Sequence, residues 1–165
     1  MRKFVCAAWL IVASLPASAE GYYAGFGFAN VTGKELGYSW TSFNAIGLGG
    51  YEVNEYISVE GEASFVISEG SLLGVDIGNK HMGAFVKFAL PTSGAFTPHA
   101  RIGYVKGEAK ASSGSVSISV DDTAFSYGIG AEYDFGNSSF RADYSVADFG
   151  ATNMNSLSFT TVLNF

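Results

Sequence analysis

The sequence predicts an all-β fold, an eight-stranded antiparallel up-and-down transmembrane β-barrel. Three observations lead there. Segments of alternating apolar and polar residues recur along the chain, the period of a strand and not of a helix. Nearly all the charge of those segments falls on one of the two faces that the alternation defines. The connections alternate between short and long, the pattern of a barrel with tight turns at one end and loops at the other.

Residues 1–19 read as a secretory signal peptide. Arg2 and Lys3 form the charged start, Phe4 to Val12 the apolar stretch, and Ala17-Ser18-Ala19 a cleavage site. The apolar run is too short for a membrane-spanning helix, which needs ~20 residues. The expected mature domain is therefore residues 20–165, the barrel. The only cysteine, Cys6, lies in the leader, so no disulfide or cysteine metal ligand is expected in the mature chain. Removing Arg2 and Lys3 from nine bases leaves seven against fifteen acids, a net charge of −8. That balance argues against nucleic-acid binding, which needs basic patches. Mean hydropathy is +0.22, although no stretch after residue 19 is long and apolar enough to be a spanning helix.

The strands follow in order. The first runs over 21–30, with Tyr22, Ala24, Phe26 and Phe28 on one face. The second runs over 43–53 and the third over 56–67, joined by a tight turn at Asn54-Glu55. From Ile57 the third alternates strictly. Ile57, Val59, Gly61, Ala63, Phe65 and Ile67 lie on one face, opposite Ser58, Glu60, Glu62 and Ser64. The fourth (81–90) sets Met82, Ala84, Val86, Phe88 and Leu90 against His81, Gly83, Phe85 and Lys87. The fifth (97–108) sets Ala100, Ile102 and Tyr104 against His99, Arg101 and Gly103. The sixth (123–135), seventh (139–147) and eighth (156–165) place Glu132, Asp134, Arg141 and Asp143 opposite apolar residues. The second strand is the poorest fit. Ile46 and Leu48 fall on its polar face, and a bulge there would turn them outward. The connections 54–55, 91–96 and 136–138 are compact; 31–42, 68–80, 109–122 and 148–155 are long and polar.

The distribution of charge sets which face is inside. A charge at the midplane on the lipid side costs ~2–4 kcal/mol, and Lys106, which falls on an apolar face, stands near a strand top. A soluble lipocalin-type barrel would put the apolar face inside. Here the apolar face is expected outside, in lipid. Aromatic residues at strand ends, among them Tyr22, Tyr51, Phe65, Tyr104, Phe125 and Phe140, fit interfacial girdles. Six acids (Glu52, Glu60, Glu62, Glu132, Asp134, Asp143) and three bases (Lys87, Arg101, Arg141) then face inward, an excess of three acids.

Gly49-Gly50-Tyr51-Glu52-Val53-Asn54-Glu55-Tyr56, with Glu60 after it, resembles the second hairpin of the transmembrane domain of the outer membrane protein A (OmpA) family. Val86 to Pro91 and Arg101-Ile102-Gly103 are similar to its fourth and fifth strands. Gly130-Ala131-Glu132-Tyr133 and Phe140 to Tyr144 are similar to its sixth and seventh. The related opacity-type small surface antigens fit as well. The resemblance implies a Gram-negative outer-membrane protein of the porin family, exported through the Sec pathway. It implies a lumen charge network at Glu60, Lys87, Glu132 and Arg141, to which the inward faces add Glu62, Arg101 and Asp143. That network is either a polar plug or a small gated pore. The acid excess would give such a pore a cation preference. The resemblance also implies that terminal Phe165 is read by the outer-membrane assembly machinery. The chain stops there, so anchoring through a periplasmic peptidoglycan-binding domain is not expected.

The expected partners are outer-membrane lipids and lipopolysaccharide, with host or phage ligands at the loops and a monomeric state. An alternative reading is a surface adhesin acting through those loops, such as 109–122. A third, a lipid A-modifying enzyme, needs a His and Ser facing the membrane. His81 and His99 both fall on inward faces, with no Ser two residues after either. No enzyme activity, metal or cofactor is expected.

Overall fold

The strands of the barrel are longer than the alternation alone suggests. The computed structural model describes residues 21–35, 38–72, 75–113, 116–150 and 152–165; the signal peptide expected at 1–19 lies outside the described residues. The strands are β1 Tyr22–Glu35, β2 Tyr38–Asn54, β3 Ile57–Ser68, β4 Gly70–Leu72, β5 Val75–Ala89, β6 Phe96–Ser113, β7 Val116–Asp134, β8 Ser138–Asp148 and β9 Asn153–Asn164. Among the described residues there are no helices. β4 is a three-residue piece on β5, so β3 and β4 together form one stave of an eight-stave barrel. All neighbours pair antiparallel in the order β3-β2-β1-β9-β8-β7-β6-β5-β4, and the β3–β5 pairing closes the cylinder. Closure leaves no free sheet edge within the hydrocarbon, where unpaired backbone groups cost several kcal/mol each.

The extra length lies at one end. The segments expected as loops at 31–42, 68–80 and 109–122 are largely paired strand: β1 and β2 pair out to Glu35↔Tyr38, and β6 and β7 out to Ser113↔Val116. Polar alternation such as Ser117-Ile118-Ser119-Val120 supports pairing above a membrane as readily as within it. The opposite end keeps its tight turns. Asn54 Oδ1 accepts hydrogen bonds from the backbone N–H groups of Tyr56 and Ile57 at 2.9 Å each, an Asx turn. Asp134 Oδ1 accepts from the Gly136 N–H at 2.6 Å, and Gly136 takes φ = +101°, which a side chain would strain.

The faces divide as the alternation requires. Phe26, Phe28, Phe65, Met82, Ile129 and Phe159 are exposed, whereas Glu60, Glu62, Lys87, Arg101, Arg141 and Asp143 are buried. The expected girdle aromatics all point outward. Ile46 and Leu48 stay inside. Register shifts occur between Phe43 and Asn44 and between Glu52 and Asn54, and the stretch between them is regular. Leu48 packs with Tyr23 and Val162.

Candidate functional site

The interior residues separate into two layers. Toward the short-turn end, staves β3, β5, β6, β7 and β8 bring together Glu60, Glu62, Lys87, Arg101, Glu132, Arg141 and Asp143. Register starts this. Lys87 lies opposite Arg101, and Glu132 opposite Arg141. Curvature then carries each base across the lumen to its acids. Arg141 donates from Nη1 and Nη2 to the two Glu60 oxygens at 2.5 and 3.0 Å, and from Nε to Asp143 Oδ2 at 2.7 Å. Arg101 donates to Glu62 Oε2 at 2.6 Å and to Ser145 Oγ at 3.1 Å. Lys87 Nζ lies 3.7 Å from Glu60 and 3.4 Å from Glu132. Ser139 Oγ donates to Glu132.

Four further partners join the layer, of which Tyr23 and Ser139 were not expected from the sequence. The Tyr23 hydroxyl donates to Glu60 at 2.6 Å. His99 Nε2 meets Asp143 at 2.7 Å and His81 Nε2 meets Glu62 at 3.1 Å. Ser139 is the fourth. Each carboxylate accepts, so both imidazoles carry the proton on Nε2. Inward parity was a usable signal for all four, but parity gives a direction and no partner. Lys87 also sits 4.9 Å from the centre of the Tyr23 ring, a cation–π contact.

The expected excess of three inward acids needs correction. Glu52 and Asp134 are exposed at strand ends, where the alternation runs past the barrel rim. Four acids and three bases then share the layer, with His81 and His99 against the acids. A buried charge without a partner is strongly destabilising. Here each carboxylate has at least two donors, so the group is held as a unit.

Above this layer, toward the long-hairpin end, an apolar cluster lies beside a few buried polar side chains, where Asn44 Nδ2 donates to Ser64 Oγ and Asn79 Nδ2 to Met154 Sδ, each at 2.8 Å. Ala29, Val31, Phe85, Val105, Ala124, Ala147 and Met154 form one buried cluster with Phe149 packed against it. Phe149 belongs to the β8–β9 turn. Its N–H donates to the Thr152 carbonyl at 3.0 Å, and Asp148 Oδ1 accepts from the Gly150 N–H at 2.8 Å. The ring lies over Gly107, where an added Cβ would come within 2.8 Å of it. Phe85 joins the layers, because its other contact is the Arg101 guanidinium, 4.3 Å from the ring centre. A void of about 10 Å³ remains where the layers meet, lined by Glu62, His81, Phe85, Arg101, Val105 and Met154 among others. That is about the space of one water. Among the described residues no cluster of His, Cys, Asp and Glu has the spacing of a metal site.

The model of a family described as outer membrane protein beta-barrel domain matches residues 4–165. No curated protein matches the sequence. Among solved structures, Neisserial surface protein A superposes with a TM-score of 0.77 at 15% identity, covering 88% of this chain and 98% of that one. The attachment invasion locus protein of Yersinia pestis gives 0.66 at 22%, covering 88% and 99%. It has also been solved with the heparin analogue sucrose octasulfate. The N-terminal β-barrel domain of Pseudomonas aeruginosa OprF gives 0.59 at 12%, covering 87% and 98%. At these identities the likeness is one of fold.

Proposed function

The chain belongs to the outer membrane protein β-barrel domain family, and on that premise we propose a structural, surface-exposed barrel with a sealed interior and a working surface on its long hairpins. One observation carries the reading: the charged layer is mutually paired and the apolar layer with Phe149 closes the lumen above it. An eight-stave barrel holds little more than its own side chains. A gated pore would have to part Arg141 from Glu60 and lift Phe149. Planar-bilayer recording of the folded protein tests this. The expected trace is silent; steady cation-selective steps would favour the gated-pore reading instead. The rest of the proposal is export through the Sec pathway, recognition of the strand ending at Phe165 by the assembly machinery, and a monomer in phospholipid and lipopolysaccharide. Catalysis is not part of it, since both histidines are turned inward onto acids.

Attachment through the hairpins is a second reading. β7 pairs with β8 only from Phe125↔Asp148 onward, so residues 116–123 stand above the wall paired with β6 alone. The Yersinia neighbour carries attachment in its name and binds a sulfated heparin analogue. Here the projecting strand ends carry Lys34, Lys80, Lys106 and Lys110 against Glu69, Asp76, Glu108, Asp121, Asp122 and Asp148. That balance favours a neutral or basic ligand over a sulfated polyanion. Deleting residues 109–122 and measuring cell adhesion and sucrose octasulfate binding tests it. Lost adhesion with no octasulfate binding before or after is the expected outcome; unchanged adhesion leaves only the structural role.

A further inference from the structure

Among the described residues, no strand covers the outer edge of β7 over 116–123. On one side this segment pairs with β6 in unbroken register from Lys106↔Thr123 to Ser113↔Val116. On the other side β8 begins only at Phe125↔Asp148, and across the gap β1 and β9 end at Lys34↔Asn153. The β8–β9 turn at 148–153 therefore floors a notch whose wall is the free edge of β7. β6 is covered by β5 out to Asp76↔Ser112, so the projecting sheet is open here on the β7 side alone.

Natural sheets blunt such edges with lysine, proline, a bulge or a covering loop. Residues 116–123 hold no lysine and no proline, and their pairing with β6 has no register shift. Their two charges are engaged within the hairpin. Asp121 Oδ2 lies 2.8 Å from Lys106 Nζ, and Asp122 Oδ1 accepts from the Thr123 N–H at 2.7 Å. Ser119, Val120 and Thr123 stand exposed beside them. An edge left open in this way is a template for another strand.

We propose that this edge pairs antiparallel with the same edge of a second copy held in a facing membrane. The inference deepens the attachment reading and rests on its placement of the long hairpins outside the cell. Side chains and symmetry choose the occupant. Strand addition takes affinity from the main chain and specificity from pockets for alternate side chains. Ser119, Val120 and Thr123 are too small to build such pockets, so a foreign sequence is not read. A second copy needs no reading, because a two-fold axis makes the edge its own complement. Opposite residues must share a face, so the axis passes through a residue. Centred on Ser119 the pair runs over 116–122, and centred on Val120 over 117–123. In neither register does Asp121 or Asp122 meet its own copy, so like charges are not directly opposed.

The same symmetry places the copies. The axis of an antiparallel edge pair stands perpendicular to the wall, and a half-turn about it inverts the barrel. The partners therefore belong to facing membranes. Copies in one membrane share their orientation, and an axis along the normal would make staves tilted by ~40° cross instead of pair. At ~3.3 Å per residue and that tilt, residues 116–123 rise ~20 Å above the wall. Overlap along their whole length holds the two membranes about that far apart.

The test uses the intact folded barrel, one copy per phosphatidylcholine nanodisc, with both disc faces open and folding checked by heat-modifiable gel migration. Sedimentation velocity should show paired discs, and electron microscopy should show them face to face with a gap of ~20 Å. Ser119→Glu/Val120→Glu sets like charges opposite at either centre, while Lys110, opposite position 119 on β6, supports the hairpin. Its paired fraction should fall at least fivefold. Ser119→Lys/Val120→Lys should fall likewise, and mixing the two variants should restore pairing, which requires the edge to meet its own counterpart. Discs that stay single, that pair through other faces, or that pair regardless of these substitutions would overturn the proposal. Single discs together with adhesion that still depends on residues 109–122 would overturn it too, and would leave the attachment reading standing with a foreign partner.

Discussion

The two layers inside the barrel sit a few residues apart on the same staves and obey different rules. On β8, Arg141 and Asp143 belong to the charged layer and Ala147 to the apolar one; on β6, Arg101 and Val105 divide the same way. In the charged layer every group depends on a named partner. Removing one strands another, and the cost is that of an uncompensated buried charge. In the apolar layer the contact of Asn79 Nδ2 with Met154 Sδ is the named pair, and the rest is packing. The cost of a change follows the volume removed and how far neighbours relax. The first layer therefore specifies which stave faces which across the lumen, and the second fills what is left.

The largest break is expected at Arg141. Arg141→Ala leaves Glu60 and Asp143 without their guanidinium, and should cost about 3–5 kcal/mol in urea unfolding from vesicles. A loss below ~1 kcal/mol would mean that water satisfies both acids and that the layer is not a closed unit. Met154→Ala, in the apolar layer, should cost about 2–5 kcal/mol by the same measurement, while Met154→Leu stays under ~1.5 kcal/mol. If Arg141→Lys were as mild as Met154→Leu, the contrast between layers would fail. Lysine cannot reproduce the paired Nη1 and Nη2 contacts to Glu60, and about 1.5–3 kcal/mol should be lost.

A double-mutant cycle on Glu60→Gln and Arg141→Met sharpens the comparison. The pair should cost less than the two singles summed, with a coupling of about 0.5–3 kcal/mol. Met154→Ala combined with Arg141→Met should be closer to additive. The smallest effect is expected outside the barrel. Lys106 Nζ and Asp121 Oδ2 are 2.8 Å apart with both side chains mostly exposed. The hydrogen bond from Lys106 and its charge hold the Asp121 carboxyl below its ordinary value, and the same contact raises the Lys106 ammonium. A depressed carboxyl favours the fold above its unfolded pKa and loses that as pH falls through the folded one. Solvent screens this pair, so Lys106→Ala should leave the urea midpoint unchanged and move the Asp121 titration, followed by NMR, upward.

Much of the charged layer was legible because strand parity is a strictly local rule. Glu60 and Glu62 alternate with Val59, Gly61 and Ala63, so the strand alone set them on one face, and the placement of charge along the other strands turned that face inward. Parity failed where the sheet ends. It placed Glu52 and Asp134 inside, although both lie at a rim where there is no longer an inside. The apolar layer was not legible. Its members are inward residues of six staves, each unremarkable in its own strand, and Phe149 stands in a segment that reads as a polar loop.

Alternation, charge placement and turn spacing by themselves determined the fold class, the orientation of the faces and the short-turn end, because each depends on residues one or two apart. Only the tertiary structure decided who meets whom. Arg141 and Glu60 are 81 positions apart along the chain, and only closure through β3 and β5 brings them to 2.5 Å. An eight-stave lumen is little wider than the side chains that fill it. Curvature, which no single strand encodes, therefore chose the partners.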